Sequence, residues 1–162
     1  MRLWLAAILI FLLDQATKLV ILFRLDLPGR GQIDIWPPYL TFRMAWNQGI
    51  NFGLFAGEGM MTRWGLIIVA LAISAWVWNW ARRPGQSPLA QISGGILIGG
   101  ALGNVVDRIA YGAVADFLNM SCCGIQNPYA FNVADIAVFA GAIGLVFFGT
   151  DRRTKDEGRK TP

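Results

Sequence analysis

Apolar positions run down this chain in long blocks separated by shorter polar stretches. Residues 3–23, LWLAAILIFLLDQATKLVILF, contain Asp14 and Lys18 as their charged positions. At about 1.5 Å per residue such a helix crosses a hydrocarbon core of roughly 30 Å. The apolar character resumes after Lys18 and no small-x-small cleavage site follows, so a retained span is expected rather than a secretory signal peptide. A second span is predicted over about 63–81, with Thr62 as its cap and Trp76, Trp78 and Trp80 gathered at one end as an interfacial aromatic belt. Arg82, Arg83, Pro84 and Gly85 stop it. Ser87 as cap and Pro88 at the first helical position open a third span over about 88–108, and a fourth is predicted over about 132–149, before a polar tail, 150–162.

Between the first two spans the period changes. Leu40, Phe42, Met44 and Trp46 alternate with Thr41, Arg43, Ala45 and Asn47, the pattern of a half-buried strand. Its apolar face has three possible uses: packing on helix ends, lying in the membrane interface, or lining a groove for an extended substrate. Gly49, Gly53, Gly57 and Gly59 around Glu58 predict turns and a mobile flap.

Composition agrees with a membrane protein: of 162 residues 55% are hydrophobic, and the mean hydropathy is +0.47. A chain this short has room for one domain, 1–162, built from spans and their loops. Arg2, Arg82, Arg83, Arg152, Arg153, Lys155, Arg159 and Lys160 fall on the side shared by both termini and the second loop. The positive-inside rule therefore puts both termini in the cytoplasm and the loops 24–61 and 109–131 outside. These topogenic residues account for the net charge of +4, so nucleic acid is not implied.

Histidine is absent, which removes Ser-His and Cys-His nucleophile pairs and imidazole ligands for zinc. Cys122 and Cys123 are adjacent, close no useful loop, lack metal-ligand spacing and read as structural. No metal or organic cofactor is indicated. The carboxylates remain. Asp14 lies mid-span, where an ionised carboxylate costs roughly 2.5–3.5 kcal/mol and calls for a partner or a wet cavity. Lys18, four residues on, can pair with it, and a purely structural ion pair is an equal reading. Asn104, Asp107 and Arg108 share one face of the third span's last turn, where they could orient a substrate backbone or simply hold the helix end.

Asp116 follows an extended-looking GAVAD, with no basic residue within seven positions, and Asp135 stands three residues after Asn132 in what resembles a capping box. The topology brings both acids to the outer surface. Two facing carboxylates are the catalytic constellation open to a histidine-free, cation-poor site. Like charges at close range cannot both ionise, so one member deprotonates a water while the other hydrogen-bonds the scissile carbonyl oxygen and later helps protonate the leaving amine. The helix dipole favours Asp135 as the ionised member. Two other classes remain open on the residues alone: an ion or proton carrier using Asp14, Lys18, Asp107 and Asp116 as a relay, and a structural membrane subunit.

The segments DQATK (14–18), NQGINFGLF (47–55), GNVVDRIAYGAVADF (103–117) and FNVADIAVF (131–139), in that order, resemble the lipoprotein signal peptidases (signal peptidase II), bacterial membrane aspartyl proteases. The resemblance implies that Asp116 and Asp135 are the catalytic pair. It implies too that Asp14, Lys18, Asn47, Gly49, Asn104, Asp107, Arg108 and Asn132 line or support the site, with Asn104 and Arg108 near the substrate backbone. The implied fold is four transmembrane helices with a small outward-facing β-cradle and a flap in the first outer loop. The implied substrate is a prolipoprotein cut before a diacylglyceryl-modified cysteine, at the outer (periplasmic) face of the bacterial inner membrane. Membrane lipid is the expected surrounding partner and a monomer the expected state.

Overall fold

A computed structural model describes residues 1–49, 59–125 and 127–149. The flap expected around Gly53, Gly57 and Glu58 and the tail 150–162 lie outside the described residues. Five helices and three strands follow in the order α1 (Arg2–Leu19), α2 (Leu27–Arg30), β1 (Gln32–Trp36), β2 (Leu40–Asn47), α3 (Gly59–Ala81), α4 (Pro88–Tyr111), β3 (Val114–Met120) and α5 (Val133–Phe148). A π-helical turn, Val20–Arg24, continues α1, so that Arg2–Arg24 forms one apolar rod of 23 residues.

Among the described residues three helices are long and apolar enough to cross a membrane: this rod, α3 with 23 residues and α4 with 24. The fourth apolar helix, α5, has 16 residues, short of the roughly 20 that a perpendicular span requires. Two boundaries differ from expectation. The second helix begins at Gly59, so Thr62 lies inside it rather than capping it, because Met60 and Met61 extend the helix-forming apolar stretch backwards. The third runs one turn past Arg108 to Tyr111 and stops at Gly112, whose φ of 79° ends the helix with its N–H on the Arg108 carbonyl. Ser87 does cap that helix, its Oγ accepting from the Ala90 N–H at 3.0 Å.

Helix α4 is the hub, packed between α1, α3 and α5, and glycine permits the approach. A Cβ added at Gly99 would stand 2.5 Å from the Ala7 carbonyl oxygen of α1, and one at Gly103 would collide with the Asp14 carboxylate. The outward faces of α1 and α3, including Leu5, Leu9, Ile68 and Trp76, are exposed apolar surface, as lipid contact requires.

The strands form one antiparallel sheet in the order β1-β2-β3. The segment between the first two long helices therefore supplies two strands, one more than the alternation revealed, and the third comes from the segment after α4. Beneath the sheet, Ile21, Leu27 and Phe117 form a buried cluster joined by Phe42, Met44 and Val133. Of the three uses open to the apolar face of β2, packing on helix ends is thus the one realised for Phe42 and Met44. A register shift between Phe42 and Ala45 interrupts the alternation, and Trp46 instead meets Tyr111 at 5.5 Å between ring centres.

Candidate active site

The pairing of β2 with β3 sets Ala45 opposite Asp116 and Asn47 opposite Val114. Asn47 Nδ2 then donates to Asp116 Oδ2 at 3.1 Å. The Asn47 amide is itself aimed by the chain turn that follows: Gly49, at φ 110°, donates its N–H to Asn47 Oδ1 at 3.0 Å. Only glycine suits that conformation here, since a Cβ would also press on Leu66.

Asn132 begins α5 with a complete capping box, its Oδ1 accepting from the Asp135 N–H at 2.8 Å while Asp135 Oδ2 accepts from the Asn132 N–H at 3.2 Å. The capping interpretation of this pair therefore holds. It does not exhaust the pair, because Asn132 Nδ2 also donates to Asp116 Oδ1 at 2.6 Å. One fully buried amide thus starts a helix with its oxygen and holds the strand carboxylate with its nitrogen. Asp135 Oδ1 takes a further bond from Asn104 Nδ2 at 2.8 Å, and Asn104 Oδ1 accepts from Asn132 Nδ2 at 3.2 Å. The two acids are joined through a shared pair of asparagines.

Behind this pair lies a buried ionic cluster. Lys18 Nζ stands 2.8 Å from Asp14 Oδ2 and 2.8 Å from Asp107 Oδ2, and it also donates to Asn104 Oδ1 at 3.3 Å. The second oxygen of Asp14 accepts from the Ala134 N–H at 2.9 Å, and Asp107 Oδ2 accepts from the Ala115 N–H at 3.1 Å. Each of these backbone groups belongs to the residue immediately before one of the two acids. The i,i+4 pair expected on α1 exists, but its outer bonds make it a strut for the β3 and α5 segments rather than a self-contained ion pair. Gln15, not singled out in the sequence, bridges Asp14 Oδ2 at 3.1 Å and Asp107 Oδ1 at 3.4 Å. Its position beside Asp14 carried no periodic signal.

Arg108 is half-buried, and its reach to Asn104 O at 3.4 Å stays within its own helix. Its Nε is buried without a hydrogen-bond partner among the described residues, and it forms no ion pair among them. With Lys18 and Arg108 this close, the site is richer in cations than the local sequence around Asp116 suggests. The tertiary structure brings to one place Asp116, Asp135, Asn47, Gly49, Asn104, Asn132, Asp14, Lys18, Asp107 and Arg108.

Asp116 is 2% exposed. Burial, and secondarily the charge of Asp135, pushes its carboxyl up to about 6, against the opposing hydrogen bonds from Asn47 and Asn132. Desolvation outweighs two amide donors. A carboxyl that keeps its proton this high, held beside a second carboxylate by common amides, has the parts of an acid–base pair.

Residues 6–150 match the family model for signal peptidase (SPase) II. Relatives include the lipoprotein signal peptidase of Methylobacterium radiotolerans, 44% identical over 146 residues, which covers 88% of this chain and 81% of the relative. That of Rhodopseudomonas palustris is 41% identical over 152 residues, with 88% of each chain covered. Two solved structures described as bacterial membrane enzymes superpose at TM-scores of 0.72 and 0.75, each with 26% identity. They cover 97% and 88% of this chain, and 90% and 88% of their own.

Proposed function

Because this chain belongs to the signal peptidase II family, we propose that it is an aspartic endopeptidase that removes the signal peptide from diacylglyceryl-modified prolipoproteins, with Asp116 and Asp135 as the catalytic pair. The observation that carries the assignment is the junction of these two carboxylates through Asn132 and Asn104, with the Asp116 carboxyl pushed up to about 6.

In this reading Asp116 is the protonated member and Asp135, in the first turn of α5, the ionised one. Asp135 takes a proton from a water that attacks the scissile carbonyl carbon, while Asp116 protonates the carbonyl oxygen. The tetrahedral diol collapses as the amine leaves with a proton returned from the pair. Arg108 holds substrate carbonyls, and Asn47 and Asn132 hold Asp116 in place. An apolar groove of about 420 Å³ is lined by Val20, Ile21, Phe42, Phe117 and Leu118 among others. Its chemistry suits a lipid chain of the substrate.

The membrane arrangement is part of the same proposal: one domain and one copy of the chain, four spans with α5 as the short fourth, both termini cytoplasmic, and the sheet at the outer face of the bacterial inner membrane. A relay across the bilayer would spread acids along its depth. Here the buried acids Asp14 and Asp107 share one cluster with Lys18, which Asn104 and Asn132 link to Asp116, and this favours a local site.

The test is cleavage of a diacylglyceryl-modified prolipoprotein, and of its unlipidated twin, by the purified chain in detergent or lipid. Cutting of the lipidated form alone, reduced at least ~10²-fold in Asp116→Asn and Asp135→Asn, is the expected result. Undiminished cleavage by either folded variant overturns the dyad.

A further inference from the structure

Cys122 and Cys123, which the sequence reads as structural, are both exposed. They sit in a tight turn in which the Ile125 N–H returns to the Cys122 carbonyl at 2.9 Å. The two central residues, Cys123 at φ 59° and Gly124 at φ 80°, are both left-handed, the signature of a type I′ turn. Glycine or asparagine ordinarily fills the first of these places. A cysteine held there is an outlier that asks for a reason. Its effect is to bring the two sulfurs to 2.7 Å, with the Cys122 thiol directed at Cys123. Unbonded neighbours gain no packing from so close an approach, and among the described residues no third Cys, His, Asp or Glu completes a metal set around them. Cys122 also opens onto a polar cavity of about 440 Å³ lined by Asp34, Arg43, Asn119 and Ser121, so a hydrophilic thiol reagent has access.

From this juxtaposition we infer that Cys122 and Cys123 are a redox-active vicinal dithiol that closes to a disulfide between adjacent residues. The oxidant is a disulfide such as glutathione disulfide. The Cys123 thiolate attacks one of its sulfurs, forming a mixed disulfide and releasing one glutathione thiolate. Cys122 gives its proton to solvent, attacks the Cys123 sulfur and expels the second glutathione. Two protein thiols are oxidised and one glutathione disulfide becomes two thiols.

Adjacent Cα atoms stand about 3.8 Å apart across a trans peptide, under the usual range for a disulfide, so the bond is strained and easily reduced. The ring encloses no chain and adds no loop-closure stability. It acts instead on the turn that links β3, bearing Asp116, to the start of α5, bearing Asp135. The supply of oxidant rests on the outward placement of this loop in the proposal above, whereas the thiol chemistry is read by mass and is decided separately from cleavage.

The full-length chain, purified in detergent and reduced, is exposed to glutathione disulfide, then to a maleimide, and its intact mass is measured. The expected wild-type product is two hydrogens lighter, carries neither glutathione nor maleimide, stays a single chain and reopens with reduced glutathione. Cys122→Ser and Cys123→Ser each retain one glutathione instead, while cleaving prolipoprotein as the reduced wild type does. A wild-type product bearing two glutathiones or two maleimides, or chains linked in pairs, overturns the inference. A closed bond that reduced glutathione fails to open overturns its redox-active character.

Discussion

At the scale of single residues, burial decides what Asp116 does. A free carboxyl releases its proton near 3.8, and Asp116 holds on to about 6. Between these values the folded chain binds more protons than the unfolded one, so stability falls as pH rises through that window. Substituting Asp116→Asn flattens this slope, which thermal midpoints in detergent at a series of pH values will register. In the proposed mechanism the same ionisation removes the general acid, so kcat/KM should decline on the alkaline side with an apparent pKa near 6 belonging to the coupled pair. Asn132 offers a second test. Asn132→Ser keeps an N-cap acceptor but loses the nitrogen that grips Asp116 Oδ1, so α5 remains folded while cleavage falls about 10²-fold. Equal loss of both helix and activity would reduce Asn132 to a cap.

At the scale of elements, close helix contact sets where the side chains of the site arrive. Gly99 permits α1 to lie against α4, and those two helices carry Asp14 and Lys18 on one side and Asn104 and Asp107 on the other. Gly99→Ala should destabilise the chain by roughly 1–3 kcal/mol through overpacking and lower cleavage with it. Gly65→Ala in α3 meets nothing within 4 Å, and should be neutral or stabilising by about 0.5–1 kcal/mol. A thermal-shift comparison of the two separates a helix-packing role from a general effect of adding a methyl. The long helices were legible in the sequence because apolar runs and the Ser87-Pro88 and Asn132-Asp135 starts are local signals. Strand β1 was not: Gln32–Trp36 is largely exposed and is a strand because β2 offers it an edge to pair with. The third strand was legible only as an extended-looking GAVAD; its run Val-Ala-Asp-Phe has no alternation, and its pairing with β2 makes it a strand.

At the scale of the whole molecule, the buried cluster of Lys18 with Asp14 and Asp107 ties together α1, α4, β3 and α5. Lys18→Met leaves two carboxylates without their cation and should cost about 3–5 kcal/mol. Adding Asp107→Asn to that variant should recover part of the loss, because one uncompensated charge is then gone, and double-mutant thermal unfolding measures this coupling. No recovery would mean that the ion pair between Lys18 and Asp107 carries little of the fold.

By itself the sequence determined the class of the molecule, its apolar spans and its chemical inventory, because hydropathy, helix caps and the absence of histidine are properties of neighbours or of counts. The resemblance of its motifs to a known family also pointed to the ten residues of the candidate site. Only the tertiary structure decided how they are joined: that Asn132 is cap and bridge together, that Lys18 braces the backbone ahead of both acids, and that Asp116 is dry enough to keep a proton. Those outcomes depend on contacts between segments up to 120 positions apart, such as Asp14 with the Ala134 N–H, and on exclusion of water by all of them at once. Desolvation is a property of the enclosing whole, and no local pattern of residues carries it.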